Sequence, residues 1–203
     1  MKQTDVIPAD GNWKNIDIRE FSGSPAKRIG DEWMLVTAGN AITCGNLTAG
    51  NVITAGNVTA DKGSWNTMTA SWGGLGVLWG KNVAFMFIRP TRYTFDFANG
   101  NPLFTLSFFD KSHHKALEIA GAKSGRDIDK AAETGLTPIV FAGGKIDGAV
   151  GFKEAQEIII CHKLYTHDFD PAGFLDSAIE GMYPGKDYHR MYIGEVVGVK
   201  VKS

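Results

Sequence analysis

The sequence predicts a mainly β protein with short helices, a β-barrel core with helical decoration. Three observations point there. Short apolar runs bounded by turn residues recur at 33–37, 83–88, 102–109, 139–141, 149–152, 155–165 and 191–199. Only 113–121 and 127–133 carry a helical pattern. The 203 residues, 11% of them aromatic, suffice for one domain with a real core, and no clear linker divides them.

In chain order, residues 1–30 are polar and turn-rich. Ile16, Ile18 and Phe21 form a short strand there or lean on the core. The segment reads either as a surface tail or as an arm packing across a partner subunit. The strand at 33–37 then runs into a repeat. Thr37-Ala38-Gly39-Asn40 returns as Thr43-Cys44-Gly45-Asn46, Thr48-Ala49-Gly50-Asn51 and Thr54-Ala55-Gly56-Asn57, at offsets of 6, 5 and 6. Unequal offsets and few apolar positions argue against a solenoid. Gly-Asn turns favour a hairpin, and small polar residues favour a loop. Its position ahead of 65–73 makes a lid one reading of this insertion at about 41–57.

Val77-Leu78-Trp79 and 83–88 read as a buried strand. The helix at 113–121 has Ser112 as its N-cap candidate and Gly121 as its stop, and the one at 127–133 ends before Gly135. Ile158-Ile159-Ile160 is continuous and apolar, as befits a strand central to its sheet. Residues 170–184 are a turn-rich excursion with at most one helical turn, and 191–199 close the chain as a strand.

Charge excludes some classes of function. Lys+Arg is 21 and Asp+Glu 22, a balance that argues against a nucleic-acid or membrane-surface partner. No run approaches the ~20 apolar residues of a membrane helix, and no apolar leader follows Met1. Cys44 and Cys161 have no metal-ligand spacing and read as two free thiols. A cytoplasmic location is the expectation. His162, His167 and Asp168 lack a metal signature too, adjacent His113 and His114 point to different helix faces, and no metal site is assigned.

Chemistry concentrates in two segments. Trp65-Asn66-Thr67-Met68-Thr69-Ala70-Ser71-Trp72-Gly73 places small hydroxyl and amide residues between two tryptophans, and Arg89-Pro90-Thr91-Arg92-Tyr93-Thr94 sets two arginines and two threonines around a proline. Hydroxyls, free N–H groups and guanidinium forks suit a phosphate monoester, and flat apolar walls suit an aromatic ring system. The residues fit a flavin mononucleotide (FMN) site. They also fit strand and turn residues with no ligand at all.

Those segments, with Phe104-Thr105-Leu106-Ser107-Phe108-Phe109, Gly121-Ala122-Lys123-Ser124-Gly125-Arg126-Asp127 and Tyr188-His189-Arg190-Met191-Tyr192-Ile193-Gly194-Glu195, resemble the flavin reductase family with an FMN-binding split β-barrel, near its flavoredoxin-like branch. The likeness runs in order from about Trp33 to Val201, interrupted by the repeat, which the family crosses in far fewer residues. It implies a Greek-key-like split barrel, a homodimer with FMN at the subunit interface, and in many members reduction of flavin by NAD(P)H.

The FMN ring is expected along Asn66, Thr67, Met68, Thr69, Ala70, Ser71 and Trp72. Its phosphate is expected among Arg89, Arg92, Thr94, Lys123, Ser124 and Gly125, with Tyr93, Ser107, Phe108 and His189 as further cofactor-binding positions. Ser124 and Asp127 equally suit a helix start. His189 is the candidate catalytic group, and Glu195 reads as a strand-end charge. No G-x-G-x-x-G follows a strand, so NAD(P)H is expected to stack transiently on the flavin and pass a hydride from C4 to N5. Three functions follow as expectations: an NAD(P)H-dependent flavin or ferric-chelate reductase, a flavoredoxin-type electron carrier with no NAD(P)H oxidation of its own, and a barrel that has lost its flavin.

Overall fold

A computed structural model describes residues 13–40, 53–54 and 64–203. Its elements in order are β1 (Trp13–Asn15), α1 (Pro25–Gly30), β2 (Met34–Gly39), β3 (Ile53–Thr54), β4 (Trp65–Ala70), β5 (Gly73–Leu78), β6 (Lys81–Ile88), α2 (Thr94–Gly100), β7 (Leu103–Phe108), α3 (His114–Ala122), α4 (Lys130–Thr134), β8 (Pro138–Val140), β9 (Val150–Phe152), β10 (Glu157–Asp168) and β11 (Arg190–Lys202). The main sheet runs β4-β2-β7-β10-β11-β6-β5, with β1 also on β11, and β3-β8-β9 form a second, small sheet. Every strand pairing is antiparallel.

The central strands read as unbroken apolar runs because both their faces are buried. Met34, Val36 and Ala38 of β2, Phe104, Leu106 and Phe108 of β7, and Ile159 and Cys161 of β10 share one core. The alternate residues Leu35, Leu103, Ile158 and Ile160 enter a second core with Leu117 of α3 and Phe141. Close packing between strands leaves no room for a side chain at Gly194, where a Cβ would lie 2.5 Å from the Phe104 ring. The β5–β6 turn is Trp79-Gly80, both left-handed at φ 53° and 68°, as a tight two-residue hairpin requires. Val77-Leu78-Trp79 is therefore a strand end and its turn, and Trp79 is exposed rather than buried.

Residues 13–30 pack on their own chain. Trp13 pairs with Lys202, and Ile16, Ile18 and Phe21 lean on the core. Arg28 clamps the segment down, its guanidinium lying against both the Phe21 and Phe108 rings and 2.5 Å from Glu157. This agrees with the reading that Ile16, Ile18 and Phe21 lean on the core, and residues 1–12 lie outside the described residues. Local capping also moves two helix starts. Asp110, not Ser112, caps the turn that opens the 114–122 helix, and Asp129 caps α4, which begins three residues later than the pattern suggests. Ser124 and Asp127 form a separate turn. Helix α2 has no counterpart in the sequence pattern, and the excursion at 170–184, read with one helical turn, holds two short 3₁₀ turns at 171–173 and 177–182. The Thr-Ala-Gly-Asn insertion and Cys44 lie outside the described residues, save the backbone of β3, which pairs with β8. Among the described residues no helix is long and apolar enough to cross a membrane.

Candidate functional site

Strand β4 ends the main sheet and pairs only with β2 within it. Among the described residues no strand pairs with its other edge. The Thr67 carbonyl on that edge accepts from the Lys130 ammonium at 2.7 Å. Antiparallel alternation then turns the main-chain groups of Thr69 the same way, and Ser71 follows just past the strand end.

Beside this edge, Met68, Thr69, Ala70, Ser71, Trp72, Phe87, Arg89, Arg92 and His189 line a cleft of about 210 Å³. Eight of these nine are residues that the sequence marked. The Trp72 and His189 rings meet at 45°, their centroids 4.9 Å apart. His189 is 8% exposed, and its Nδ1 lies 2.9 Å from the Tyr183 hydroxyl. Burial, reinforced by the charge of Arg89, lowers its pKa to about 4, so the imidazole is neutral at pH 7.

The cations around the cleft divide into two kinds. Arg89 is committed: it pairs with Asp187 at 2.6 Å, donates to the Met182 carbonyl at 2.8 Å and lies over the Tyr183 ring. Despite its burial, Asp187 is held below the usual carboxylate range by that arginine. Lys123 pairs with Glu133 at 2.7 Å and Arg126 with Asp96 at 3.2 Å. Arg92 and Lys130 have no carboxylate partner among the described residues. Arg92 donates to the Gly121 carbonyl at 3.0 Å, which leaves most of its N–H groups uncommitted. Lys130 is buried, and its ammonium donates to the carbonyls of Thr67 and Ala120, each at 2.7 Å. Burial and then the charge of Arg92 lower its pKa to about 8. The charge of Arg92 is thus felt at Lys130, and neither has a carboxylate partner among the described residues.

One step back along β4, the Asn66 amide donates to the Thr94 hydroxyl at 2.8 Å. Gly125 sits against this pair, where a Cβ would lie 2.1 Å from Asn66 Oδ1 and 3.3 Å from the Tyr93 ring. Only glycine allows the turn to come so near.

Several expected positions are placed elsewhere. The Thr67 hydroxyl bonds Thr37 Oγ1 at 2.8 Å and the Val36 carbonyl, because strand alternation turns it to the face opposite Asn66 and Met68. Ser107 and Phe108 are buried in β7, Phe108 against Phe21 and Arg28. Lys123 pairs with Glu133 and Arg89, within the cleft lining, with Asp187, and Ser124 Oγ accepts from the Arg126 N–H at 3.2 Å. Trp65 packs on Phe152 in the second core and is not a wall of the cleft. Glu195 pairs with Lys81 at 2.8 Å and lies inside β11, not at a strand end as expected. Lys130 escaped the sequence reading because a lysine in a short helical pattern reads as solvated, and no signal marks it as buried.

The donor set suits FMN: an open main-chain edge for the ring, an aromatic wall, and an unneutralised cation pair for a phosphate. No family model matches the sequence, and no curated protein matches it. Solved structures do. An FMN-binding domain of a flavin reductase-like enzyme from Shewanella baltica superposes with a TM-score of 0.57 at 12% identity, covering 98% of this chain and 79% of that one. Flavoredoxin of Desulfovibrio vulgaris gives 0.55 at 20% identity, over 89% and 76%. An NADH:FAD oxidoreductase of Streptomyces globisporus, in complex with NAD and FAD fragments, gives 0.55 at 14% identity, over 85% and 77%. The chain has the FMN-binding split-barrel fold that these flavin reductase-like proteins and flavoredoxins share.

Proposed function

We propose that this protein binds FMN in the β4 cleft and is an oxidoreductase, an NAD(P)H-dependent flavin or ferric-chelate reductase. The observation that carries the reading is the Arg92–Lys130 pair, two neighbouring cations without a carboxylate beside a cleft with a free main-chain edge. Arg92 takes the phosphate, and Lys130 adds its charge from below. Main-chain groups at Thr69 and Ser71 meet the polar rim of the ring, and Trp72 with neutral His189 supplies an apolar wall that limits water. The bound flavin supplies hydride acceptance at N5. The chain's own part is to position and desolvate, which agrees with the lack of a triad or carboxylate pair in the cleft.

The electron-carrier role is the second reading, and one observation favours it. Arg89, Lys123 and Arg126 are already paired with carboxylates, so the cations near the cleft that remain for a dinucleotide's phosphates are those assigned to FMN.

The protein acts as a homodimer in this proposal. A single chain encloses only about 210 Å³ at the cleft, below the ~300–1,000 Å³ of a formed small-molecule site. The outer half of β10 and the β5–β6 hairpin expose Val77 (72%), Trp79 (59%) and Tyr165 (44%), with the Trp79 and Tyr165 rings 6.1 Å apart. An apolar patch of this kind suits a subunit interface. Sedimentation of the pure protein checks it, a dimer being expected.

The functional test is a visible spectrum of the protein supplied with FMN, followed by anaerobic titration with NADH and NADPH. Flavin bands that bleach on nucleotide addition support the reductase. Bands that bleach only with dithionite leave the carrier. A colourless protein refutes both.

A further inference from the structure

His189 lines the β4 cleft with one ring nitrogen already engaged. Its Nδ1 lies 2.9 Å from the Tyr183 hydroxyl, and both residues are buried. Tyr183 itself does not line the cleft, so this bond is made away from the cleft wall. It comes from the excursion between β10 and β11, where its own neighbours fix it. Phe174 stacks on its ring at 5.9 Å and 10°, the Arg89 guanidinium lies 4.8 Å from the ring centroid, and the Tyr188 ring stands 5.1 Å away. The 3₁₀ turn Ser177–Met182 ends on it, and its N–H donates to the Glu180 carbonyl at 2.9 Å.

A neutral imidazole carries one proton, and the bond made by one nitrogen decides which nitrogen holds it. Burial raises the Tyr183 phenol above its ordinary pKa and lowers that of His189, so at pH 7 the phenol keeps its proton and the ring is neutral. Two arrangements remain. With the phenol donating to Nδ1, the more acidic hydrogen meets the more basic lone pair. With Nδ1–H donating to the phenol, the buried O–H is stranded, since among the described residues that hydroxyl has no other acceptor. We infer that Tyr183 is a positioning residue: it fixes His189 as the Nε2–H tautomer and turns that N–H into the β4 cleft. The excursion thereby places one directed, uncharged donor on a wall that is otherwise apolar. The use of that donor toward a flavin rests on the FMN reading; the tautomer does not.

The test reads the ring nitrogens directly. The flavin-free chain, labelled with nitrogen-15 histidine, is studied by proton–nitrogen correlation NMR at pH 7, with His189 assigned by its loss in His189→Gln. The wild type is expected to show a protonated Nε2 and a bare, hydrogen-bonded Nδ1. Tyr183→Phe keeps the ring against Phe174 and Arg89 and removes only the hydroxyl. It is expected to let the tautomers mix, drawing the two nitrogen resonances toward each other while the far-UV circular dichroism stays unchanged. Should that variant not fold, the wild-type chain grown with 3-fluorotyrosine decides: its more acidic phenol is expected to move the Nδ1 resonance further in the hydrogen-bonded direction. A wild-type ring protonated at Nδ1 overturns the proposal. So does a folded Tyr183→Phe that loses stability with its tautomer unchanged, or an Nδ1 indifferent to fluorination. Added FMN is expected to shift the Nε2–H resonance, and FMN that binds without moving it overturns the orientation into the cleft. Failure to bind FMN sinks the functional reading and leaves the flavin-free spectra to decide this one.

Discussion

Arg89 and Arg92 stand three residues apart and line the same cleft, yet they do different work. Arg89 is locked by Asp187, the Met182 carbonyl and the Tyr183 ring, and so pins the 170–187 excursion to the barrel. Arg92 holds one backbone carbonyl and shares its neighbourhood with a second unneutralised cation, Lys130. One arginine has its charge consumed by the fold; the other, in the function proposed, keeps its charge for a ligand. The difference teaches that a cation in a binding motif is available only when no carboxylate has claimed it.

That contrast can be broken most sharply at Arg92. Arg92→Ala is expected to weaken FMN binding by about 1.5–3 kcal/mol, the range for hydrogen bonds to a charged group, with the melting temperature unchanged. Calorimetric titration and thermal unfolding together check it.

The next largest effect is acid lability from the buried wall residue. His189 has a folded pKa of about 4, below its ordinary 6.5, so the unfolded chain binds the extra proton. Stability is complete above pH 6.5 and is lost as pH falls toward 4, by about 2 kcal/mol. Chemical denaturation at pH 7 and pH 4.5 measures it, and His189→Gln should flatten that part of the profile.

Lys130 sharpens the cation side. Its free-state pKa of about 8 rises when a phosphate settles nearby, so binding takes up a proton. FMN affinity is expected to fall as pH rises through 8 to 9, by at most about 1.4 kcal/mol per pH unit. Riboflavin, which lacks the phosphate, should show no such slope.

The smallest effect is the complement of the first. Arg89→Ala should lower stability by about 1 kcal/mol, as the half-buried Asp187 loses its partner, while FMN affinity changes less than with Arg92→Ala. Equal losses of affinity at both arginines would erase the distinction.

Much of this was legible in the chain. The continuous Ile158-Ile159-Ile160 run announces a strand paired on both sides, and β10 does lie between β7 and β11. The polar run between two tryptophans contains most of one wall of the cleft. Reading that run as a block hid its period of two. Alternation alone sends Thr67 and Trp65 to the face opposite Asn66 and Met68, and the structure does so. What stayed hidden depends on long-range pairing. Nothing near Arg89 in sequence reveals Asp187, 98 residues on. A lysine that buries its ammonium against two carbonyls looks, in sequence, like any solvated helix residue. Helix α2 was missed because only Thr94, Phe97 and Ala98 of its seven residues are buried, too short a pattern to stand out.

The account stands or falls on the affinity of wild type and Arg92→Ala for FMN and for riboflavin, measured side by side. Wild type should prefer FMN clearly, and the substitution should collapse that preference while riboflavin binding holds. A preference untouched by Arg92→Ala, or no binding of either flavin, would contradict it.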